Sequence, residues 1–187
     1  MIKAGAISKG MCILHKGSPF LVAEREFVNP GKGSAFVRLK LKNLKTGAVL
    51  KETMKTQDNV DEITVEDLPC QYLYADDEHY FFMDNDSYEQ FEVAREGMED
   101  KILFMKEGET YKITMWESSP IDIIIPTKVV YEVTEAEDAV KGDTVTGATK
   151  YVKIETGLTV KVPIFIKQNE RIMVNTETKE YVERVNS

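Results

Sequence analysis

Short apolar runs separated by turn-forming residues dominate this chain. The runs are rich in Val, Ile, Tyr, Phe and Thr, and Gly, Pro, Asn and Asp bound them. Residues 35–44 alternate with a period of two, which places one set of side chains on each face of a strand. The apolar set is Val37, Leu39 and Leu41, and the basic set is Arg38, Lys40 and Lys42. This pattern is typical of small β-barrels or sandwiches, so we predict an all-β protein.

The same reasoning predicts strands along the rest of the chain. Residues 72–83 read as a hairpin that turns at Asp76-Asp77-Glu78, and Pro126-Thr127 interrupts the pattern as a joint. Further strands are predicted at residues 20–28, 110–116, 121–125, 128–133, 150–155, 159–166, 171–175 and 181–185. Short helices are expected only at residues 96–106 and 134–140.

The loop Asn29-Pro30-Gly31-Lys32-Gly33-Ser34 lies between two predicted strands. Pro30 has no N–H to give to a ladder, and Gly31 and Gly33 permit a positive φ, so a hairpin turn is expected here. Lys32 would then be held clear of the body with nothing bulky beside it. Such a side chain is suited to reach into a partner.

Two simpler interpretations of this loop exist. A Gly-Lys-Gly tip can be a solubilising turn, for which general turn chemistry gives roughly even odds. A phosphate-binding P-loop needs G-x-x-x-x-G-K-[ST] between a strand and a helix, but here Lys32 precedes Gly33 and a strand follows. The P-loop interpretation therefore fails.

Composition bounds the class of protein. The chain has 187 residues, of which 42% are hydrophobic and 30% charged. No apolar run approaches the ~20 residues of a membrane span, and the first residues lack a secretory signal, so a cytoplasmic protein with no membrane partner is expected. Cys12 and Cys70 are far apart and indicate neither a disulfide framework nor a zinc site.

The net charge of −8 is unevenly distributed. Residues 1–64 carry 11 Lys/Arg against 6 Asp/Glu, residues 65–127 carry 4 against 16, and residues 128–187 carry 9 against 10. A basic first third on an acidic protein predicts phosphate contact at one end. A solvated strand face is the alternative, but the lysine loop favours RNA contact through Arg38, Lys40 and Lys42.

The charge shift near residue 65 and the proline at 126 divide the chain into three parts. We predict domains at residues 1–64, 65–127 and 128–187. Domains of about 60 residues bury only about 60% of their unfolded surface, so they are expected to lean on one another in an elongated molecule.

Catalytic motifs are absent from the sequence. His15 and His79 fit no triad or metal-ligand spacing, and there is no G-x-S-x-G, H-E-x-x-H or G-x-G-x-x-G motif. The acidic Asp84-Asn85-Asp86 lacks the glycine and terminal glutamate of a calcium loop. We therefore expect a non-enzyme with no catalytic residue, no metal and no dissociable cofactor.

An ordered series of short motifs resembles bacterial elongation factor P over essentially the whole chain. The series is Pro30-Gly31-Lys32-Gly33, Ala35-Phe36-Val37-Arg38, residues 42–47 (KNLKTG), Tyr88-Glu89-Gln90, Gly142-Asp143-Thr144, Glu155-Thr156-Gly157, residues 160–163 (VKVP) and residues 180–184 (EYVER).

The resemblance implies a fold and a function. It implies three β-barrel domains, the first SH3-like with a KOW element and the other two OB-like, arranged like an L-shaped tRNA. It also implies a translation factor that binds the 70S ribosome between the peptidyl and exit sites and relieves stalling at consecutive prolines. The residue matching Lys32 would lie near the acceptor end of the peptidyl-site tRNA. A covalent β-lysyl-type extension, added by a modifying enzyme, is the natural inference for that lysine.

The resemblance also implies contacts in the last domain. The Gly142-Asp143-Thr144 loop would lie near the small subunit at the exit site. Tyr181 and Arg184 are three apart on the last strand and would face opposite sides unless the strand bulges. We expect Arg184 to point outward towards RNA and Tyr181 to be half buried.

Two other function classes remain open at this point. One is a generic OB-fold or SH3-like module that binds free RNA, and the other is a small hydrolase whose catalytic groups are not recognisable. A lysine adduct on Lys32 has no role in a plain RNA binder. A hydrolase would require a pocket with perturbed titratable groups. For the ribosome-binding translation factor we expect a monomer.

Overall fold

Three antiparallel sheets follow one another along the chain. The computed structural model describes residues 1–137 and 148–186. The strands are β1 (Ile2–Lys3), β2 (Cys12–His15), β3 (Ser18–Val28), β4 (Phe36–Asn43), β5 (Val49–Lys55), β6 (Asn59–Ile63), β7 (Glu66–Ala75), β8 (His79–Asp84), β9 (Gln90–Ala94), β10 (Thr110–Trp116), β11 (Ser119–Ile124), β12 (Lys128–Ala136), β13 (Thr149–Ile154), β14 (Thr159–Pro163), β15 (Arg171–Asn175) and β16 (Glu180–Val185). The all-β prediction is confirmed.

Helical structure within the described residues is limited to two 3₁₀ helices, Ala4–Ala6 and Glu99–Leu103. The first helix candidate, residues 96–106, is therefore a single short 3₁₀ turn. The second candidate is wrong at its start, because Thr134–Ala136 continue β12 and Ala136 pairs with Val152 of β13. The rest of that candidate, from residue 138, lies outside the described residues.

The first sheet carries the long hairpin. Its strand order is β1-β6-β2-β3-β4-β5, so β3 and β4 are neighbours joined by the predicted turn. The alternation along β4 is confirmed, since Val37, Leu39 and Leu41 are at most 2% exposed. Arg38 and Lys42 are exposed on the opposite face and Lys40 is half-buried. We call residues 1–64 the first domain.

The second and third sheets have the same pattern of closure. Their strand orders are β11-β10-β7-β8-β9 and β14-β13-β12-β15-β16. In each sheet the two edge strands also approach each other, β9 with β11 and β14 with β16, so each sheet curls into a barrel. We call residues 65–127 the central domain and residues 128–187 the third domain.

The central and third domains share a joint that includes core packing. Phe104, which follows the 3₁₀ helix of the central domain, is 5% exposed and belongs to the hydrophobic core of the third domain. The Tyr131 hydroxyl donates to the Phe104 carbonyl over 2.6 Å, and the Thr156 hydroxyl donates to the Leu103 carbonyl. The predicted boundaries at 64/65 and 127/128 stay predictions. Ile125, just before the second boundary, packs against the cores of both the central and the third domain.

A smaller contact lies between the first and central domains. The Lys45 ammonium, in the turn between β4 and β5, lies 5.5 Å from the centre of the Trp116 ring at the end of β10. That turn is at the end of β4 opposite to the Lys32 loop. The first domain therefore meets the rest of the molecule far from its hairpin tip.

Candidate functional site

The Lys32 loop is an open hairpin tip. It connects Val28, the last residue of β3, to Phe36, the first residue of β4. Gly33 has a φ of +107°, a conformation that L side chains rarely adopt, so a side chain here would strain the turn. A Cβ added at Gly31 or Gly33 would meet no other heavy atom within 4 Å. Lys32 is exposed and has free space around it.

The hairpin extends beyond the hydrophobic core that supports its base. Phe27 lies opposite Val37 in the register, yet Phe27 is 50% exposed. The Arg25 guanidinium lies 5.8 Å from the centre of the Phe27 ring and donates to the Gly5 carbonyl over 3.0 Å. These contacts stiffen the base of the hairpin and leave its end free.

A bulge at Ala23 decides which β3 side chains face the basic set of β4. The register shifts between Val22 and Glu24, so Glu24 lies opposite Lys40 and Glu26 lies opposite Arg38. Without the extra residue, Glu24 would fall on the other face. The basic face of β4 is therefore lined by acids from β3.

Two of the three predicted RNA-binding cations form ion pairs. Lys40 Nζ is 2.9 Å from Glu24 Oε1, and Arg38 lies 3.5 Å from Glu26 Oε2. The hydrogen bond from Lys40, followed by its charge, lowers the pKa of the Glu24 carboxyl. These pairs are exposed and weak, so an RNA phosphate can replace the carboxylate partner at small cost.

Lys42 faces a different environment from its two neighbours on β4. Burial raises the pKa of Asp122 in the central domain, while the charges of Lys101 and Lys42 act in the opposite direction. Lys42 thus lies near the first contact between domains. The assignment of Arg38, Lys40 and Lys42 to RNA stays a prediction, and Arg38 and Lys40 have acidic partners that the alternation alone did not reveal.

The predicted contacts of the third domain are placed in part. The β15–β16 register skips Val182, so β16 bulges and Tyr181 and Arg184 lie opposite Val174 and Ile172. Tyr181 is half-buried against the third core, and Arg184 is exposed. Their assignment to RNA stays a prediction, and Gly142-Asp143-Thr144 lies outside the described residues.

Neighbouring side chains hold the Arg184 guanidinium. It lies 5.4 Å from the centre of the exposed Phe165 ring and 3.6 Å from Glu170 Oε1. Glu170 also accepts a hydrogen bond from the Lys167 N–H over 2.8 Å. Arg184 is thus presented as an oriented planar cation at the edge of β16. Phe165 and Glu170 were not singled out from the sequence, because nothing local links them to Arg184.

Chemically, these surfaces can bind and position but do not form a reaction centre. In the part of the chain that the structure describes, no three His, Cys, Asp or Glu side chains are grouped to hold a metal ion. No described helix has the length and apolar character needed to cross a membrane. His15 lies 3.5 Å from Glu52, and His79 lies near two carboxylates, without a hydroxyl or thiol nucleophile in these pairs.

Three family models match successive parts of the chain. The "Elongation factor P (EF-P) KOW-like domain" matches residues 3–60, the "Elongation factor P (EF-P) OB domain" matches residues 65–123, and "Elongation factor P, C-terminal" matches residues 129–184. The predicted succession of a KOW-like and an OB-like domain is confirmed by these matches.

Curated relatives extend the match to the full length. A protein of Treponema denticola named elongation factor P is 54% identical over 187 residues, with 100% of both chains covered. The elongation factor P of Treponema pallidum (strain Nichols) is 53% identical over 186 residues, again with 100% of both chains covered. That of Borrelia hermsii is 54% identical, covering 98% of this chain and 97% of the relative.

Solved structures support the fold of part of the chain. Eukaryotic translation initiation factor 5A from Methanococcus jannaschii superposes with a TM-score of 0.52 at 18% identity, covering 66% of this chain and 92% of the other. An eIF-5A family protein from Naegleria fowleri gives the same TM-score at 20% identity, covering 66% and 94%.

Proposed function

The chain belongs to the elongation factor P family, and from this premise we propose that it binds between the peptidyl and exit sites of the ribosome and promotes peptide-bond formation at consecutive prolines. As a member of this family it is a translation elongation factor that associates with the ribosome. The family is non-enzymatic, so the expectation of a non-enzyme is confirmed. The proline-specific mechanism is the proposal.

The observation that carries the proposal is the free lysine tip. Lys32 is exposed on a glycine-flanked turn that extends beyond its supporting core. Proline is a constrained and poorly placed reactant, because its ring fixes φ and removes the N–H. Steadying the acceptor end of peptidyl-tRNA lowers the positional cost of peptide transfer without any acid or base. A long cation among RNA phosphates is suited to that role.

The proposal includes a covalent extension of Lys32. The open space around Gly31 and Gly33 gives a modifying enzyme access to the ammonium group. A β-lysyl-type group would add both length and positive charge at the tip. Intact-mass measurement of the protein purified from its natural source tests this point, and an unmodified mass would contradict it.

The proposal extends to the other predicted contact residues on the ribosome. Arg38 and Lys40 would meet RNA along the tip side of β4 and Lys42 at its far end. Tyr181, Arg184 and residues Gly142-Asp143-Thr144 would hold the third domain at the small subunit. The factor would act as a cytoplasmic monomer on the peptidyl-site tRNA.

The decisive experiment removes the lysine side chain. Lys32→Ala should change the free energy of unfolding by less than about 0.5 kcal/mol, since the residue is exposed in an open loop. It should abolish the relief of stalling on a triple-proline reporter. Lys167→Ala, an exposed lysine in a turn of the third domain, is the matched control and should retain the activity. Full reporter activity with Lys32→Ala would overturn the proposal.

A module that binds free RNA is the alternative function. Its activity would appear as tight binding to short RNA without ribosomes, and Lys32→Ala would affect that binding no more than Lys167→Ala does. Strong ribosome binding together with weak binding to free RNA supports the ribosome proposal.

A further inference from the structure

The outer face of the central barrel carries an exposed aromatic stack. Tyr74 of β7 lies opposite Phe81 of β8, and Phe81 lies opposite Glu92 of β9, so the three form one row across the sheet. The rings of Tyr74 and Phe81 are 4.4 Å apart at 15°, and Tyr74 is 51% exposed. The chain neighbours of Phe81, Tyr80 and Phe82, are fully buried, so the row points away from the core.

A bulge directs Tyr74 to this face. The register shifts between Tyr72 and Tyr74, which leaves Tyr72 in the core and turns Tyr74 outward beside Phe81. The hydrophobic interior of the domain is complete without Tyr74. An outward aromatic pair on a barrel face is a feature that a ligand can use.

Carboxylates surround the aromatic row. Asp76, in the β7–β8 turn, accepts hydrogen bonds from the N–H groups of Glu78 and His79 over 2.8 and 2.7 Å. These bonds lower the pKa of the Asp76 carboxyl, which keeps it ionised. His79 lies 3.8 Å from Asp76 and 3.9 Å from Glu92.

This charge distribution selects the class of ligand. Aromatic residues on an OB-type barrel face commonly stack on nucleic-acid bases, but such faces also carry cations for the phosphates. Here Glu92 ends the row and Asp76 lies in the adjoining turn, with His79 near both carboxylates and the Arg95 guanidinium donating to the Asp76 carbonyl. The domain as a whole is strongly acidic, since residues 65–127 hold 16 acids against 4 Lys/Arg. A phosphate backbone would be repelled. A cationic side chain gains from both the rings and the carboxylates.

We propose that this aromatic–acidic face, formed by Tyr74, Phe81, Glu92 and Asp76, docks a Lys/Arg-rich segment of a partner protein. One cation of the segment lies over the exposed side of the Tyr74 ring, and another pairs with Glu92 or Asp76. The face belongs to the central domain, whereas the Lys32 tip belongs to the first, so this inference does not depend on the proline mechanism.

The test uses a fluorescein-labelled nine-residue arginine peptide and the full chain. Fluorescence anisotropy should show binding that weakens with added salt. Tyr74→Ala combined with Phe81→Ser should weaken binding about tenfold or more, the loss expected for interface aromatics. Tyr151→Ala, which removes an exposed strand tyrosine of the third domain, is the matched control and should change binding less than about twofold.

A second pair of variants separates specific docking from general attraction to an acidic protein. Glu92→Gln should weaken binding severalfold, and Glu183→Gln, the same change on an exposed strand of the third domain, should leave it unchanged. In the unmodified chain, the peptide should shift the amide NMR signals of residues 74, 81 and 92. That measurement does not depend on the folding of any variant.

Three results would overturn the assignment. Equal losses for the Glu92 and Glu183 variants would make the attraction nonspecific. A nine-nucleotide oligouridylate that shifts the same NMR signals more strongly would assign the face to RNA. Self-association in sedimentation that Tyr74→Ala abolishes would assign it to a second copy of the chain, through the basic first domain.

Discussion

The two contacts between domains differ in kind. The central and third domains share a hydrophobic core through Phe104, and backbone carbonyls of residues 103 and 104 accept hydrogen bonds across the joint. The first and central domains meet through a surface contact, in which Lys45 lies over Trp116. Buried packing resists displacement, whereas an exposed cation–π contact contributes only about 0.5–1 kcal/mol.

This difference separates a rigid part of the molecule from an adjustable one. We expect the central and third domains to unfold as one cooperative unit, because removing Phe104 from the third core leaves a cavity. The first domain, which carries Lys32, should unfold independently and vary its orientation. The molecule thus combines a fixed two-domain body with a hairpin domain on a compliant joint.

Deleting a terminal domain should give the largest effect. Residues 1–127 lose the third core that covers Phe104, Leu103 and Ile125, and burying a phenylalanine alone contributes about 1.5–3 kcal/mol. The melting temperature of the central domain should fall clearly in this fragment, and ribosome binding should be lost. The fragment 65–187 should retain the melting temperature of the two-domain body. Equal calorimetric losses in the two fragments would contradict the comparison.

Phe104→Ala should give the next largest effect. The substitution creates a cavity in the third core and should lower the free energy of unfolding by about 3 kcal/mol. Phe165→Ala is the control, since Phe165 is 53% exposed and its loss should cost about 0.5 kcal/mol. Urea denaturation of both variants measures the difference. A Phe104→Ala chain as stable as the Phe165→Ala chain would mean that the joint contributes no core packing.

Tyr131→Phe tests the hydrogen bond between the third domain and Phe104 of the central domain. Leaving the Phe104 carbonyl without its donor should cost about 1–3 kcal/mol at neutral pH. Burial raises the pKa of Tyr131 above its usual 10.0, so the stabilisation is fully present below pH 10 and is lost as pH rises further, because the unfolded phenol ionises first.

The measurement is the free energy of unfolding between pH 8 and pH 11. It should fall less steeply above pH 10 in Tyr131→Phe than in the unmodified chain. Burial also raises the pKa values of Tyr72, Tyr80 and Tyr111. These three tyrosines contribute equally to the pH dependence of the free energy of unfolding in both proteins, so the difference in slope reports Tyr131. Identical slopes would show that Tyr131 is not the group involved.

Lys45→Ala should give the smallest change in stability, and Lys106→Ala is its matched counterpart. Both ammonium groups lie over aromatic rings, at 5.5 Å for Lys45 and 5.2 Å for Lys106. Lys106 also donates to the Val130 carbonyl over 3.1 Å and lies 3.4 Å from Glu155.

Lys45→Ala should cost less than about 1 kcal/mol and should broaden the distance distribution between labels on the first and third domains. Lys106→Ala should cost more, because it also leaves the Val130 carbonyl without a donor. Denaturation and single-molecule energy transfer measure the two effects. A larger loss of stability for Lys45→Ala than for Lys106→Ala would mean that the contact between the first and central domains is the stronger of the two.

Local sequence patterns predicted most of the fold but not its contacts between elements. The alternation of β4 and the turn at Asp76-Asp77-Glu78 are local, and both were predicted correctly. Residues 134–136 were misassigned to a helix, because pairing with β13 outweighed their weak local preference. The neighbours of Lys40 were missed because the Ala23 bulge shifts the register by one residue.

The candidate site was predictable only in its local part. Pro30, Gly31 and Gly33 predict an open turn from the local sequence alone. That turn is enough to predict that Lys32 is exposed. Phe104 gave no such signal, since an apolar residue after a short helix looks like part of its own domain. Long-range packing, which needs the partner core of the third domain, decides its role.

The position of Lys45 relative to Lys32 has a geometric consequence. The two residues lie beyond opposite ends of β4, whose eight residues span about 26 Å at the usual rise of ~3.3 Å per residue. A swing of about 5° at the Lys45 contact therefore displaces the tip by about 2 Å, where an error of about 1 Å can cost a hundredfold in rate. In the free protein, the position of the hairpin tip is consequently imprecise. Accurate placement of Lys32 must come from a surface that contacts the hairpin on both sides.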